Sequence, residues 1–243
     1  MAAAIGWGAL AASSLLLGAL LGLGRRWPPR LIGLVLAFGA GALISAVAFE
    51  LAEEGARIGG GAALASGLAA GALTYFGLSR VVERIGRPVA RRGRPVARVS
   101  AGPALALGAV LDGIPEQAVL GISLTTGEGV SLGLLAAVFV SNLPEVIGSA
   151  TAMRSAGRRP AEIWRLWVVV AIACALATVG GYALADVVSG QLKAAINGFA
   201  AGALLVMLVD SMIPEAAEDA GAVAGLATVL GFALSAGLSG LSG

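Results

Sequence analysis

The sequence predicts an all-α polytopic membrane protein, with eight transmembrane helices arranged as an inverted 3+2+3 repeat. Three observations carry this prediction. The 243 residues are 58% hydrophobic and 12% charged, with a mean hydropathy of +0.93, more apolar surface than a soluble fold of this size buries. The 37 glycines and few aromatics suit helices packed closely through small residues. The alternating segments of about 10 residues that a barrel needs are absent. Finally, fourteen of the sixteen Lys and Arg residues fall in alternate connections between apolar windows.

Apolar windows of about 20 residues set the spans. They lie at about 3–23, 31–52, 60–79, 101–124, 130–152, 164–186, 194–213 and 221–240, and the chain is one transmembrane domain over 1–243. No positive stretch precedes the first window, so it reads as a retained helix and not as a cleaved signal. Arg25, Arg26 and Arg30 follow span 1. Arg80, Arg84, Arg87, Arg91, Arg92, Arg94 and Arg98 follow span 3. Arg154, Arg158, Arg159 and Arg165 follow span 5, leaving Arg57 and Lys193 for the other side. With eight spans all fourteen share one side, so the odd-numbered loops are expected in the cytoplasm and both termini outside. Glu215, Glu218 and Asp219 follow span 7 on the cytoplasmic side, where acids weigh little in this rule. The expected location is integral to a bacterial inner, or plasma, membrane. Residues 81–100, with two prolines and six arginines, read as a solvated cytoplasmic basic loop that pins topology, with binding of anionic lipid headgroups as the sharper alternative.

Composition also excludes chemistry. There is no histidine, and Cys174 is the lone cysteine, which rules out an intrachain disulfide and the usual Cys/His zinc sites. Zincin proteolysis needs His-Glu-x-x-His, and no Gly-x-Gly-Asp supports aspartyl proteolysis, so an enzyme is not expected. No nucleic-acid partner is expected either; the bilayer is the surrounding partner.

The chain repeats itself. Phe38-Gly-Ala-Gly-Ala-Leu43 in span 2 matches Phe199-Ala-Ala-Gly-Ala-Leu204 in span 7 at five of six positions. Each run leads to an intramembrane acid, Glu50 or Asp210, and then to an acidic cluster. Spans 2 and 7 run in opposite directions. So do spans 4 and 5, which carry related stretches 29 residues apart: Leu111-Asp-Gly-Ile-Pro-Glu-Gln117 and Val140-Ser-Asn-Leu-Pro-Glu-Val146. Spans 1–3 thus oppose spans 6–8 with 4 and 5 between them, and inverted repeats with broken helices at the midplane mark transporters.

The two central stretches carry the chemistry. Asp112 and Glu116 are four residues apart, as are Ser141 and Glu145, so each pair shares a helix face. Asn142 is one turn before Glu145. Pro115 and Pro144 each precede a glutamate, and each frees a backbone carbonyl that lipid does not satisfy. Asp112, Glu116 and Glu145 repel one another when ionised, and the spans offer no Lys or Arg to pair with them. A carboxylate at the bilayer centre costs several kcal/mol. A divalent cation or shared protons remain as partners. Two readings stay open: transport of a metal ion, or a proton-coupled carrier of a small organic solute using the same acids.

These residues resemble the ZIP (ZRT/IRT-like protein) family of divalent-metal transporters. The family's fourth helix carries His-Asn-x-Pro-Glu-Gly, where this chain reads Asp112-Gly113-Ile114-Pro115-Glu116-Gln117. Its fifth carries His-x-x-Pro-Glu/His, where this chain reads Ser141-Asn142-Leu143-Pro144-Glu145. Aspartate and serine stand at the histidine positions, Gly113 replaces the asparagine, and span 6 has no acid between Trp167 and Ala185. Leu43 stands where some members place a methionine near the metal.

The resemblance implies transport of divalent metal cations by alternating access, with spans 1, 4, 5 and 6 moving against 2, 3, 7 and 8. It also implies a homodimer. The metal is then substrate, with no catalytic cofactor. The expected site is all-oxygen: Asp112, Glu116 and Glu145, helped by Ser141, Asn142 or Gln117, with Glu50 and Asp210 as secondary positions. Oxygen ligands suit Mn²⁺, Fe²⁺, Mg²⁺ and Ca²⁺, and the family points to Zn²⁺ and Fe²⁺; which ion is carried stays open.

Overall fold

Glycine decides how the helices of this chain meet. The computed structural model describes residues 1–25, 27–86, 101–125, 132–185 and 187–242, without the side chains of 82–86, 101–109, 111–112 and 240–242. The helices in chain order are α1 (Ala2–Gly24), α2 (Pro29–Ser45), α3 (Glu54–Gly59), α4 (Gly61–Gly86) and α5 (Ala101–Ser123). Then come α6 (Leu132–Ser155), α7 (Pro160–Ala185), α8 (Gly190–Met207), α9 (Ile213–Ala220) and α10 (Ala224–Ser242). The described residues contain no strand. Where the eight apolar windows fall on described residues, those residues are almost all helical. Within the basic stretch 81–100, residues 87–100 lie outside the described residues, as does Arg26.

Local chemistry sets several boundaries. Pro29 and Pro160 open α2 and α7, where a missing N–H costs nothing. Ser189 caps α8, its hydroxyl accepting from the Leu192 N–H at 3.3 Å. Gly157 (φ 83) turns the chain from α6 toward α7.

Six helical runs among the described residues are long and apolar enough to cross a membrane: Ala2–Gly24, Pro29–Gly59, Gly61–Val81, Leu132–Ser155, Pro160–Ala185 and Gly190–Ser239. The last is 50 residues long and turns at Gly221 (φ 65).

The breaks fall elsewhere than expected. Broken helices were expected at Pro115 and Pro144, yet α5 and α6 run through both prolines. One lost hydrogen bond per proline is tolerated where neighbouring helices support the remaining turns. The irregular backbone lies instead in two π-helical segments, Ala46–Glu53 after α2 and Leu208–Met212 after α8. Each leads through a short helix, α3 or α9, to a glycine with positive φ, Gly60 (φ 87) or Gly221 (φ 65). The same 22 residues separate Phe38 from Gly60 and Phe199 from Gly221.

The packing shows where side chains are missing. A Cβ at Gly71 of α4 would overlap the Phe199 carbonyl of α8, and one at Gly231 of α10 would overlap the Phe38 carbonyl of α2. In turn, a Cβ at Gly202 of α8 would lie 2.9 Å from the Ala72 nitrogen of α4, and one at Gly41 of α2 would lie 2.8 Å from the Phe232 nitrogen of α10. The α4–α8 and α10–α2 contacts are thus built the same way. A second group joins α1, α6 and α7 around the fully buried Trp167. There Gly18 and Gly22 of α1 sit against Val146, Ile147 and Ala150 of α6, so this GxxxG pair serves packing within one chain.

Candidate functional site

The prolines and acids of α5 and α6 sit at the middle of helices that are clasped from both sides. α5 packs on α7, and α6 packs on α1 and α2. The clasp on α5 starts at Gly113, whose Cβ position lies 2.6 Å from Cys174 Sγ on α7. One turn further, Thr178 on α7 donates its hydroxyl to Gln117 Oε1 at 2.5 Å. Gly113 and Gln117 therefore share the face of α5 turned to α7. Glu116 is rotated by one residue from that face.

Glu116 is only 2% exposed. Glu145 on α6 lies close enough for the two charges to act on each other. The two related stretches, 29 residues apart in the chain, thus place their glutamates within electrostatic reach of one another. Glu145 is half-buried, the more open of the pair. Ser141 and Asn142 are buried beside them in sequence. The Ser141 hydroxyl donates to the Val138 carbonyl at 3.1 Å, which leaves its oxygen lone pairs uncommitted to a donor in that bond. Asp112 belongs to α5, but its side chain lies outside the described residues.

Burial leaves polar atoms without partners here. Glu116 Oε2, Gln117 Nε2 and Asn142 Nδ2 are buried with no hydrogen-bond partner among the described residues. Each such group costs about 1–3 kcal/mol, and each asks for an explanation. Three of them fall within the two central stretches, and others among the described residues lie elsewhere, at Ser45, Glu54, Trp167, Asn197 and Ser235. Among the described residues, no three His, Cys, Asp or Glu side chains come close enough to share an ion. The arrangement that is described is two carboxylates, an amide and a hydroxyl.

Two residues at this site were not expected from the sequence. Cys174 fills the space beside Gly113. Met212 of the second π segment reaches the bare backbone of Gly39 on α2, its Cε 3.1 Å from the Cβ position, where Ser141 Cα lies at 2.9 Å. Neither residue carries a sequence signal of its own, because each reads as an ordinary apolar residue in a helix. Of the secondary positions, Glu50 lies half-buried in the first π segment and Asp210 lies exposed in the second. Neither joins the Glu116–Glu145 pair.

No family model matches the chain. The chain is similar to a curated protein of Arabidopsis thaliana named "Putative zinc transporter", 28% identical over 195 residues. The similarity covers 79% of this chain and 31% of that protein, so the chain spans about a third of the relative's length.

Proposed function

We propose that the chain is an integral membrane transporter of divalent metal cations of the Zn/Fe/Mn class, of the ZIP type, that holds its ion between Glu116 and Glu145. The observation that carries this reading is a buried Glu116 on α5 that senses the charge of Glu145 on α6, each glutamate directly after a proline inside its helix, in spans that carry no Lys or Arg. Two ionised carboxylates in a span repel each other, and a divalent cation cancels that repulsion while answering the unpartnered oxygen of the buried Glu116. Asn142 and Ser141 supply neutral oxygens nearby, and Asp112, one turn before Glu116, supplies a third charge. The name of the plant relative supports metal transport over an organic solute.

The proposal includes eight crossings with both termini outside and the odd-numbered loops in the cytoplasm. Two windows share the run Gly190–Ser239. As one straight helix those 50 residues would extend about 75 Å, more than twice a hydrocarbon core of roughly 30 Å, and the chain turns within them at Gly221. The inverted repeat is supported by the matching α4–α8 and α10–α2 contacts and by the equal spacing from Phe38 and Phe199 to their glycines.

Alternating access would then move α2, α4, α8 and α10 against α1, α5, α6 and α7. The π segments, which interrupt α-helical hydrogen bonding, suit such movement. The metal is cargo and no resident cofactor belongs to the proposal. A homodimer completes it, through surfaces other than Gly18 and Gly22. The test is uptake of Zn²⁺, Fe²⁺ and Mn²⁺ into proteoliposomes holding the full chain. Uptake of at least one ion above protein-free vesicles is expected; none for any of the three, at any pH gradient, overturns the reading.

A further inference from the structure

A hollow lies away from the central glutamates, where α1 and α6 end side by side. Its volume is about 100 Å³, and Gly22, Thr151, Arg154 and Ser155 line it. One water needs roughly 10–15 Å³ of such space, so the hollow has room for a group several atoms across. The two helices approach here because Gly22 is bare. A Cβ at Gly22 would lie 2.7 Å from the Ile147 carbonyl oxygen and 2.9 Å from Ala150 Cβ. Just beyond that contact α1 ends at Gly24 and α6 at Ser155.

Helix C-termini ordinarily repel an anion, because their last carbonyls are unpaired. At the end of α1 these carbonyls are engaged. The Leu21 carbonyl accepts from the Trp27 indole at 3.0 Å and from the Arg25 N–H at 3.2 Å. The Gly22 carbonyl accepts from the Thr151 hydroxyl at 3.4 Å, and the Leu23 carbonyl from the Arg154 guanidinium. That bond uses one of the five N–H groups of Arg154, and no carboxylate pairs with it among the described residues. The walls of the hollow therefore offer a positive charge with N–H groups to donate, two hydroxyls and no acid. Phosphate oxygens match this set, since a guanidinium donates to two of them at once.

The place fits a lipid source. Gly22 is near the end of window 3–23 and Thr151 near the end of 130–152, so both stand at headgroup depth on the cytoplasmic side of the eight-crossing reading. Trp27, with the Arg25 guanidinium 5.4 Å from its ring centroid, belongs to the same level, where indoles gather at a membrane surface. Arg154 and Ser155 are exposed, within reach of a headgroup.

We propose that this hollow binds the phosphate of an anionic membrane lipid, with Arg154 and Ser155 donating to its oxygens. The lipid then fastens the ends of α1 and α6 to each other. The site needs only that these helices lie in a membrane, and it stands or falls apart from the metal site.

Lipid retention tests it. The full chain is reconstituted in vesicles of phosphatidylglycerol and phosphatidylcholine, extracted into mild detergent, and its retained lipid is counted by native mass spectrometry. The parent is expected to keep phosphatidylglycerol. R154Q and S155E are each expected to weaken that retention by about tenfold, the scale of one charge-assisted contact. R30Q, which removes a charge outside the hollow, is expected to retain lipid like the parent. S155E leaves Arg154 and its bond to Leu23 in place, so it decides the matter if R154Q does not fold. Parental retention in S155E, or an equal loss in R30Q, overturns the lipid site. Phosphorus NMR of inorganic phosphate with the delipidated chain reads the other source. Line broadening that S155E abolishes, in a chain that keeps no phosphatidylglycerol, would assign the hollow to soluble phosphate and overturn the lipid.

Discussion

Cys174 Sγ occupies the space in which a side chain at position 113 would begin, 2.6 Å from the Cβ position of Gly113. The thiol and the glycine fit only as a pair. Gly113→Ala should therefore destabilise the protein by about 1–3 kcal/mol through overpacking. Cys174→Ala alone leaves a small void, but combined with Gly113→Ala it should restore at least half of the loss. Thermal midpoints of the three variants in one detergent check this; a double variant no better than Gly113→Ala would show that the contact is relieved by other means.

Charge at the central pair is testable without changing shape. Glu116→Gln and Glu145→Gln should each reduce divalent-metal binding by about 100-fold or more, the scale expected when one of two carboxylate ligands becomes a neutral amide. Asp112→His should shift preference toward Zn²⁺ over Mg²⁺ and Ca²⁺, because imidazole is the better ligand for zinc. Titration calorimetry with a metal panel reads both effects. Parental affinity in both glutamine variants would move the binding site away from α5 and α6.

The clasp between helix pairs predicts a matched set of failures. Gly71→Ala and Gly231→Ala each push a methyl into a backbone carbonyl, which cannot swing aside as a side chain does. Each should cost about 1–3 kcal/mol, and by similar amounts, because the two contacts are built alike. Gly237→Ala, with nothing within 4 Å of its Cβ position, should be neutral or stabilising by about 0.5–1 kcal/mol. Thermal midpoints in detergent separate the two classes.

Topology has its own check. After Cys174 is replaced, a cysteine at Gly93 should be shielded from an impermeant thiol reagent in intact cells, since residue 93 lies in the basic stretch expected in the cytoplasm. Labelling from outside would reverse the orientation.

The sequence was most legible where its signals are long. Twenty-residue apolar windows made an all-helical chain with long apolar helices legible, because membrane solvation acts on whole segments. Spacing and proline position singled out Glu116 and Glu145 as candidates, and Glu116 is buried on α5. The location of the irregular backbone was not legible: proline predicts a missing hydrogen bond, but tertiary support decides whether a helix breaks, and α5 and α6 stay continuous. Ala46–Glu53 carries no proline or glycine, so residue type gave no warning there, whereas Pro214, just past Leu208–Met212, lacks the N–H that would bond the Asp210 carbonyl. Gln117 shows a finer limit. Its place next to Glu116 suggested a ligand, whereas one step along a helix turns a side chain by about 100°, and its amide meets Thr178 instead.

The five residues Leu208–Met212 also bear on how the length of this chain can vary. A π-turn accommodates one residue more than an α-turn, so such a segment behaves as an α-helix carrying an insertion. Removing one residue there lets the backbone relax to α-helix while α8 and α9 keep their rotational phase. The same deletion within α8 would turn everything beyond it by about 100° and pull Phe199, Gly202 and their partners on α4 out of register. A single-residue deletion scan across 190–220 should therefore show one island of tolerated folding, centred on the π segment, in a helix that otherwise accepts none.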